Sequence, residues 1–301
     1  DVDLIHTVGA IVPSRVDVAS IHFCHAGYVA ATGAFGPRDA PVVRRANTGL
    51  ARRLALAAER WCYRPGRLRA FAAVSEGVAG EVAQYYPGIP VTVTPNGVDT
   101  ARFHPDGVTR RRVRAQVGVD DEMVALFVGG DWERKGLLLA IEAVAKAGAA
   151  GVDVALWVVG AGDQRRFGSL AADLGVSDRV RFFGRRRDTE RFYQAADVFV
   201  LPSAYETFSI VCFEAAACGL PLVIPPLHGA AELVGDNGGG IIIQRDPESI
   251  AAALKELSDE STRAQMGAVA QARAREFTWE RSAVATVAVY RSLLSRSPTW
   301  A

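Results

Sequence analysis

The chain has 301 residues, 50% of them apolar and 22% charged, with a formal net charge of +1. That length suits about two globular domains. No run of about 18 uncharged apolar residues occurs, so no transmembrane helix is expected, and the near-neutral balance argues against bulk electrostatic capture of nucleic acid. The four cysteines, Cys24, Cys62, Cys212 and Cys218, show no CxxC or CxxxH spacing. Neither a zinc site nor a disulfide framework is expected, and they read as free thiols of a reducing compartment. Of the 34 basic residues only Lys135, Lys146 and Lys255 are lysines. This composition bias makes an Arg surplus weak testimony for a binding surface. The chain begins with Asp1 rather than Met and carries no visible signal peptide, so it is expected to start inside a longer protein.

In chain order, the first strand patterns are Val16–Phe23, Phe71–Ser75 and Val91–Thr94, with a long helix expected over Thr48–Arg64. A dinucleotide-type half needs several units of about 30 residues, so residues 1–98 amount to about half of such a domain. Pro95-Asn96-Gly97 and His104-Pro105 punctuate a linker. Beyond it, strand patterns at Met123–Val128, Val152–Gly160, Arg179–Phe183, Asp197–Leu201, Leu220–Pro225 and Gly240–Ile243 alternate with helical ones. The helical patterns lie at Gly136–Gly148, Gln164–Leu174, Thr189–Ala196 and Ile210–Cys218. Runs apolar on both faces suit parallel strands covered by helices. The fold class is therefore α/β, with a doubly wound sheet over residues 99–277 and an incomplete second one before it. A final helix, Thr278–Arg296, places Trp279, Ala283, Val287, Tyr290 and Leu294 on one stripe.

The stretch from Pro202 to Pro221 carries the densest chemistry. A strand ends at Leu201, a polar loop follows, and a helix is expected to begin near Thr207–Ser209. Side chains on a helix lean toward its N-terminus, so Glu214 points back toward the loop carrying Glu206. Both acids then face the crevice at the carboxyl ends of the strands, where doubly wound sheets bind ligands. The backbone N–H groups of Thr207, Phe208 and Ser209 form a phosphate seat, and carboxylates suit the hydroxyl donors of sugar and ribose. Spacing alone is equally compatible with two solvated surface acids. A second element is Phe127-Val-Gly-Gly-Asp-Trp-Glu-Arg-Lys-Gly136. Gly129 and Gly130 allow close backbone approach, and Arg134 and Lys135 can hold a diphosphate as a fork and a point charge. Two neighbouring cations are more often a solvated pair, but Lys135 is one of three lysines in an Arg-biased chain.

In this order and separation the two motifs resemble the C-terminal half of GT-B glycosyltransferases of family 4. The Glu-x7-Glu signature of that family is matched by Glu206 and Glu214. Further matching stretches are Val74-Ser-Glu76, Pro95-Asn-Gly-Val-Asp99 with Phe103, Gly160-Ala-Gly-Asp163, Val180-Arg-Phe-Phe-Gly184 and Ala196–Ser203. The resemblance implies a retaining, metal-independent enzyme using a nucleotide-sugar donor, UDP- or GDP-linked, with no cofactor. It implies that Glu206 contacts the donor sugar, Glu214 holds the ribose, and Arg134 and Lys135 neutralise the leaving diphosphate. Phe208 and Ser209 would donate backbone N–H groups to phosphate, and Gly130 and Thr207 would line the donor site. Arg186 would lie over the base, and His22 beside the reacting sugar carbon, with His25 as fallback. It further implies an active site in an interdomain cleft that closes on the donor, and a C-terminal helix (278–301) packed back on the N-terminal domain. Gly130 stands where many relatives carry Arg, and the Arg134-Lys135 pair resembles the branch that builds lipopolysaccharide cores. His228-Gly-Ala-Ala-Glu-Leu-Val234 replaces a glycine-rich turn.

The implied chemistry is front-face. Negative charge builds on the leaving diphosphate, where fixed cations and a helix N-terminus act most strongly. The acceptor, a small molecule, lipid or glycan, attacks from the side the diphosphate leaves, and no metal is required. Residues 38–69 hold nine Arg against Asp39 and Glu59, with Leu50, Leu54, Ala57 and Trp61 on one stripe. The segment suits peripheral contact with anionic lipid at the inner face of a cytoplasmic membrane. Given the Arg bias, a helix whose stripe packs on the N-terminal sheet with a solvated Arg face is the favoured expectation. Rival readings are a sugar-nucleotide epimerase or phosphorylase on the same architecture, and a non-catalytic nucleotide-sugar-binding subunit.

Overall fold

Runs such as Met123–Val128 and Val154–Val159 form strands because β-branched and aromatic residues fit a pleated surface covered on both sides. Every residue of these two strands is buried. The computed structural model describes residues 2–10, 12–33, 42–119, 121–235 and 238–295, with residues 42–46 described by backbone alone. The chain divides into two compact units, Asp1–Gly97 with Trp279–Ala301, and Val98–Thr278.

In the first unit the elements run β1 (His6–Val8), β2 (Val16–Ile21), α1 (His25–Thr32), α2 (Val42–Cys62), β3 (Leu68–Ala73), α3 (Glu76–Tyr85) and β4 (Val91–Val93). The four strands form one parallel sheet in chain order. Strand β1 escapes the sequence pattern because three residues, one of them His, give no periodicity. Helix α2 begins at Val42, six residues before the expected Thr48. Its stripe does not pack on the sheet: Leu50, Leu54 and Trp61 are 57%, 61% and 46% exposed. Glu59 and Cys62 form the buried face instead. Of the basic segment, residues 38–41 lie outside the described residues.

The second unit runs α4 (Gly107–Val117), β5 (Met123–Val128), α5 (Trp132–Lys135), α6 (Leu137–Ala149), β6 (Val154–Val159), α7 (Gln164–Asp173), β7 (Val180–Gly184), α8 (Glu190–Ala195) and β8 (Val198–Val200). It continues with α9 (Ile210–Ala217), β9 (Leu222–Ile224), α10 (Ala231–Val234), β10 (Gly240–Ile242), α11 (Pro247–Glu256) and α12 (Glu260–Ala274). Its parallel strands are ordered β10-β9-β8-β5-β6-β7. The chain leaves β5 toward β6 and β7, then returns to the other side of β5 for β8, β9 and β10. The gap between the ends of β5 and β8 is therefore the topological switch point, where such sheets open a crevice.

The last helix, α13 (Trp279–Leu294), belongs to the first unit. Val289 and Leu293 close over Val18, Ala70 and Ala72, with Tyr290 alongside. Arg69 ties the seam, donating to the Leu293 carbonyl at 2.8 Å and to Asp17 at 3.0 Å. The expected stripe lies mostly on the outer side of the helix. Trp279, Val287 and Leu294 are exposed; the side turned inward holds buried Val289 and Leu293 with half-buried Ser282 and Thr286, a mix that an apolar count does not pick out.

Candidate active site

Two strand ends build the site. After β5 the chain passes Gly129 at φ 145° and Asp131 at φ 48° into the single turn of α5. Trp132 anchors that turn: its Nε1 donates to the Gly129 carbonyl at 2.9 Å, and its ring packs on Phe167 and Phe182. The Lys135 stem lies across Gly129, where a Cβ would stand 2.6 Å from Lys135 Cε. Gly136, at φ 78°, turns the chain into α6, and a Cβ there would stand 2.3 Å from the Pro202 carbonyl oxygen. The loops after β5 and β8 thus approach each other backbone to backbone.

Glu206 ties the two loops together. Its Oε1 accepts from Arg134 Nη1 at 3.0 Å and from Ser203 Oγ at 3.1 Å, and stands 3.1 Å from Lys135 Nζ. Arg134 also donates to the Tyr205 carbonyl at 2.5 Å and to Asp131 Oδ2 at 2.9 Å. The Ala204 N–H returns a bond to the Arg134 carbonyl at 2.8 Å. The side chains of Glu206 and Lys135 are only 12% and 11% exposed. Burial opposes the charge on Arg134, but Glu206 and Asp131 outweigh it and hold its pKa above the ordinary value. Arg134, Lys135 and Glu206 therefore meet in a poorly hydrated spot, where charge interactions are strengthened, while Asp131 faces solvent at its edge.

Helix α9 follows the pattern expected from Ile210, and not the earlier start near Thr207–Ser209. Ser209 sits at φ 64°, ψ 64°, so the helix begins at Ile210. A left-handed residue cannot continue a right-handed helix, and Thr207 and Phe208 belong to the loop. The helix N-terminus is offered by the amides from Ser209 onward. The Phe208 ring stacks on Phe213 at 4.1 Å, and Gly229 packs on the Phe208 backbone. His228 meets the Tyr205 ring edge-on at 6.1 Å between centroids. Loops after β5, β8 and β9 thus converge. Among the described residues, Asp131 and Ser209 are the two non-glycines with left-handed backbone. Each immediately precedes a helix at the switch point, and strained conformations of this kind cluster at ligand sites.

Glu214 stands apart from this knot. It accepts from Tyr193 Oη at 2.8 Å, and burial raises its pKa against the effect of Tyr193 and Arg102. Cys212, two residues earlier in α9, feels Glu206, Lys135 and Glu214 together, and burial pushes its thiol pKa up to about 12. Arg186, after β7, forms a two-pronged pair with Asp188 at 2.9 and 2.7 Å. Gly130 is exposed beside the site. In the first unit His22 follows β2, and burial lowers its pKa, leaving a neutral imidazole at pH 7. His25 is held otherwise: its Nδ1 and backbone N–H meet Glu59 Oε1 at 2.7 and 3.0 Å, while Tyr86 donates to Glu59 Oε2 at 2.6 Å.

Sequence reasoning passed over Asp131, Ser203 and Tyr193. Asp131 had a signal, since Asp after Gly-Gly tolerates a left-handed turn. Ser203, 1% exposed, had one in its spacing of three from Glu206. Tyr193 had none. All four cysteines are buried, and none forms a disulfide. Among the described residues, no three His, Cys, Asp or Glu side chains converge as a metal site, and no helix is long and apolar enough to cross a membrane.

The family model described as glycosyl transferases group 1 matches residues 122–260, which contain the whole knot. The model described as glycosyltransferase family 4 matches residues 1–102. The chain belongs to glycosyltransferase family 4. Among curated relatives of this family member, the D-inositol 3-phosphate glycosyltransferase of Acidothermus cellulolyticus is 34% identical over 223 residues, 69% of this chain and 49% of that protein. The enzyme of the same name from Geodermatophilus obscurus is 36% identical over 229 residues, 70% of this chain and 50% of that protein. The chain thus spans about half the length of the curated relatives it matches. WaaG, a glycosyltransferase involved in lipopolysaccharide biosynthesis, superposes with a TM-score of 0.77 at 24% identity, covering 96% of this chain and 77% of that one. Anabaena HepE, solved with UDP and glucose, gives 0.72 at 23% identity, covering 93% and 71%. These likenesses establish the GT-B fold of two parallel-sheet α/β units.

Proposed function

We propose that the protein transfers a sugar from a nucleotide-sugar donor to an acceptor with retention of anomeric configuration, the donor diphosphate seated on Arg134 and Lys135. The observation that carries this reading is the single Glu206 oxygen shared by Arg134, Lys135 and Ser203 at the switch point. The Glu206 carboxylate marks a position between the two cations that suits an anionic oxygen. A diphosphate oxygen competes for the same two cations with a better charge match and a bidentate geometry for the guanidinium. Glu206, released from them, becomes an acceptor for sugar hydroxyls.

The Ser209, Ile210 and Val211 amides add partial positive charge at the same place. As the sugar–oxygen bond lengthens, charge grows on the leaving diphosphate and these fixed groups stabilise it without reorganising. The departing phosphate oxygen takes the acceptor proton, so the attacking oxygen enters from the same face. Fixed cations supply the charge that a metal supplies elsewhere. Glu214, its carboxylate oriented by Tyr193, is assigned to the ribose, Arg186 to the base, and Gly130 and Thr207 to the donor lining. The neutral imidazole of His22 is assigned to the donor sugar.

HepE, a relative by fold, was solved with UDP and with UDP-glucose, which supports a uridine donor as the first to test. The names of the sequence relatives support a phosphorylated polyol as the first acceptor. Incubation with UDP-glucose and inositol 3-phosphate tests the reading. Formation of a product whose anomeric proton couples as in the donor, and its loss in Glu206→Ala, is the expected result. An inverted product, or transfer unaffected by Glu206→Ala, overturns the assignment. Donor binding without product from any acceptor favours a nucleotide-sugar-binding subunit.

A further inference from the structure

Helix α2 is amphipathic in the reverse sense to a core helix. Its buried face carries a carboxylate, and its outer face carries the hydrocarbon. Glu59, the one acid of Val42–Cys62, is 2% exposed and consumed by His25 and Tyr86. Arg52, on the same inner side, lies over the Tyr28 ring at 4.5 Å. Leu50, Leu54, Ala57 and Trp61 recur at i, i+4, i+7 and i+11 and share one face. All four are exposed, and the three large ones are 46–61% accessible.

We propose that this outer face docks on an anionic lipid bilayer. Three observations select that occupant. The apolar residues form a narrow stripe rather than a broad patch, as suits shallow burial at a headgroup boundary. The charge beside the stripe is of one sign: Arg53 and Arg60 follow its edge, and no acidic side chain of α2 faces outward. At its end Trp61 is covered by two guanidiniums, Arg67 at 4.1 Å and Arg64 at 5.3 Å from its ring. An indole with cations above it matches the interface between phosphate headgroups and acyl chains, which enriches Trp and attracts basic side chains. A second copy of this chain would meet the same Arg rows with its own, like charge against like.

Co-sedimentation of the whole chain with vesicles tests the proposal. Vesicles of equal parts phosphatidylglycerol and phosphatidylcholine should bind it at least tenfold more tightly than phosphatidylcholine alone, and added salt should weaken binding by screening. Leu54→Ser with Trp61→Ser should lower binding at least tenfold, and so should Arg60→Glu with Arg64→Glu. Unchanged circular dichroism and melting in both variants would show the fold intact, as expected for exposed positions. Equal binding to the two vesicles, no binding to either, or wild-type binding by both variants overturns the proposal. A concentration-dependent dimer lost in Leu54→Ser with Trp61→Ser, without lipid binding, assigns the face to a second copy and equally overturns it.

Discussion

Replacing Lys135 by Met separates a ligand-binding role from a structural one. Lys135 Nζ stands 3.1 Å from Glu206 Oε1. At an effective dielectric of about 20, two unit charges at that separation attract by roughly 5 kcal/mol, but desolvating both ions offsets most of it. Glu206 keeps Arg134 and Ser203 in the variant, and Met keeps a stem over Gly129. The net loss of stability should therefore be about 1 kcal/mol or less. Binding differs, because the diphosphate loses a charge-assisted hydrogen bond worth about 1.5–3 kcal/mol. That corresponds to a roughly 10- to 150-fold rise in Kd. Calorimetric titration with UDP reads the second quantity and urea unfolding the first. A Kd within about threefold of wild type, in a folded variant, refutes the phosphate role. A stability loss above about 3 kcal/mol with unchanged affinity makes Lys135 a structural partner of Glu206.

Gly136→Ala adds a Cβ 2.3 Å from the Pro202 carbonyl oxygen at φ 78°; a loss of about 2–3 kcal/mol is expected, and a wild-type urea midpoint would contradict the close approach. His6 is held neutral, its pKa lowered first by burial and then by His22, with Tyr290 Oη at 2.5 Å and Ser20 Oγ at 2.8 Å from its ring nitrogens. Its contribution is complete above the unfolded value of about 6.5 and lost as pH falls through the lowered folded value. Melting temperature should fall between pH 7 and 5, less steeply in His6→Gln; an identical slope in the variant removes His6 from the account. Cys212, buried with its thiol pKa pushed up to about 12, should resist iodoacetamide at pH 8 until the chain unfolds. Mass spectrometry showing rapid native labelling there would refute the packing of α9.

Most of the second unit was legible because its strands are apolar on both faces and end at Gly, Pro or Asp; β5 falls on the expected residues. Arg134, Lys135 and Glu206 were legible as candidates as well, since they follow the two switch-point strands, in α5 after β5 and in the loop after β8. Their knot was not. The bond from Arg134 to Glu206 spans 72 positions, and nothing local encodes it. The helical pattern Ile210–Cys218 matches α9, but the left-handed turn at Ser209, which keeps Thr207 and Phe208 in the loop, leaves no such mark. The buried faces of α2 and α13 were not legible, for one reason. Apolar periodicity reports which residues share a face but not which face is buried, and here Glu59, Ser282 and Thr286 lie on the inner sides.

The most direct test of the central claim is a structure of the protein with UDP bound. The diphosphate should lie within hydrogen-bond reach of Arg134, Lys135 and the amides from Ser209 onward, with Glu206 released from both cations. UDP bound elsewhere, or Glu206 Oε1 still shared by Arg134 and Lys135 beneath a bound nucleotide, would contradict it.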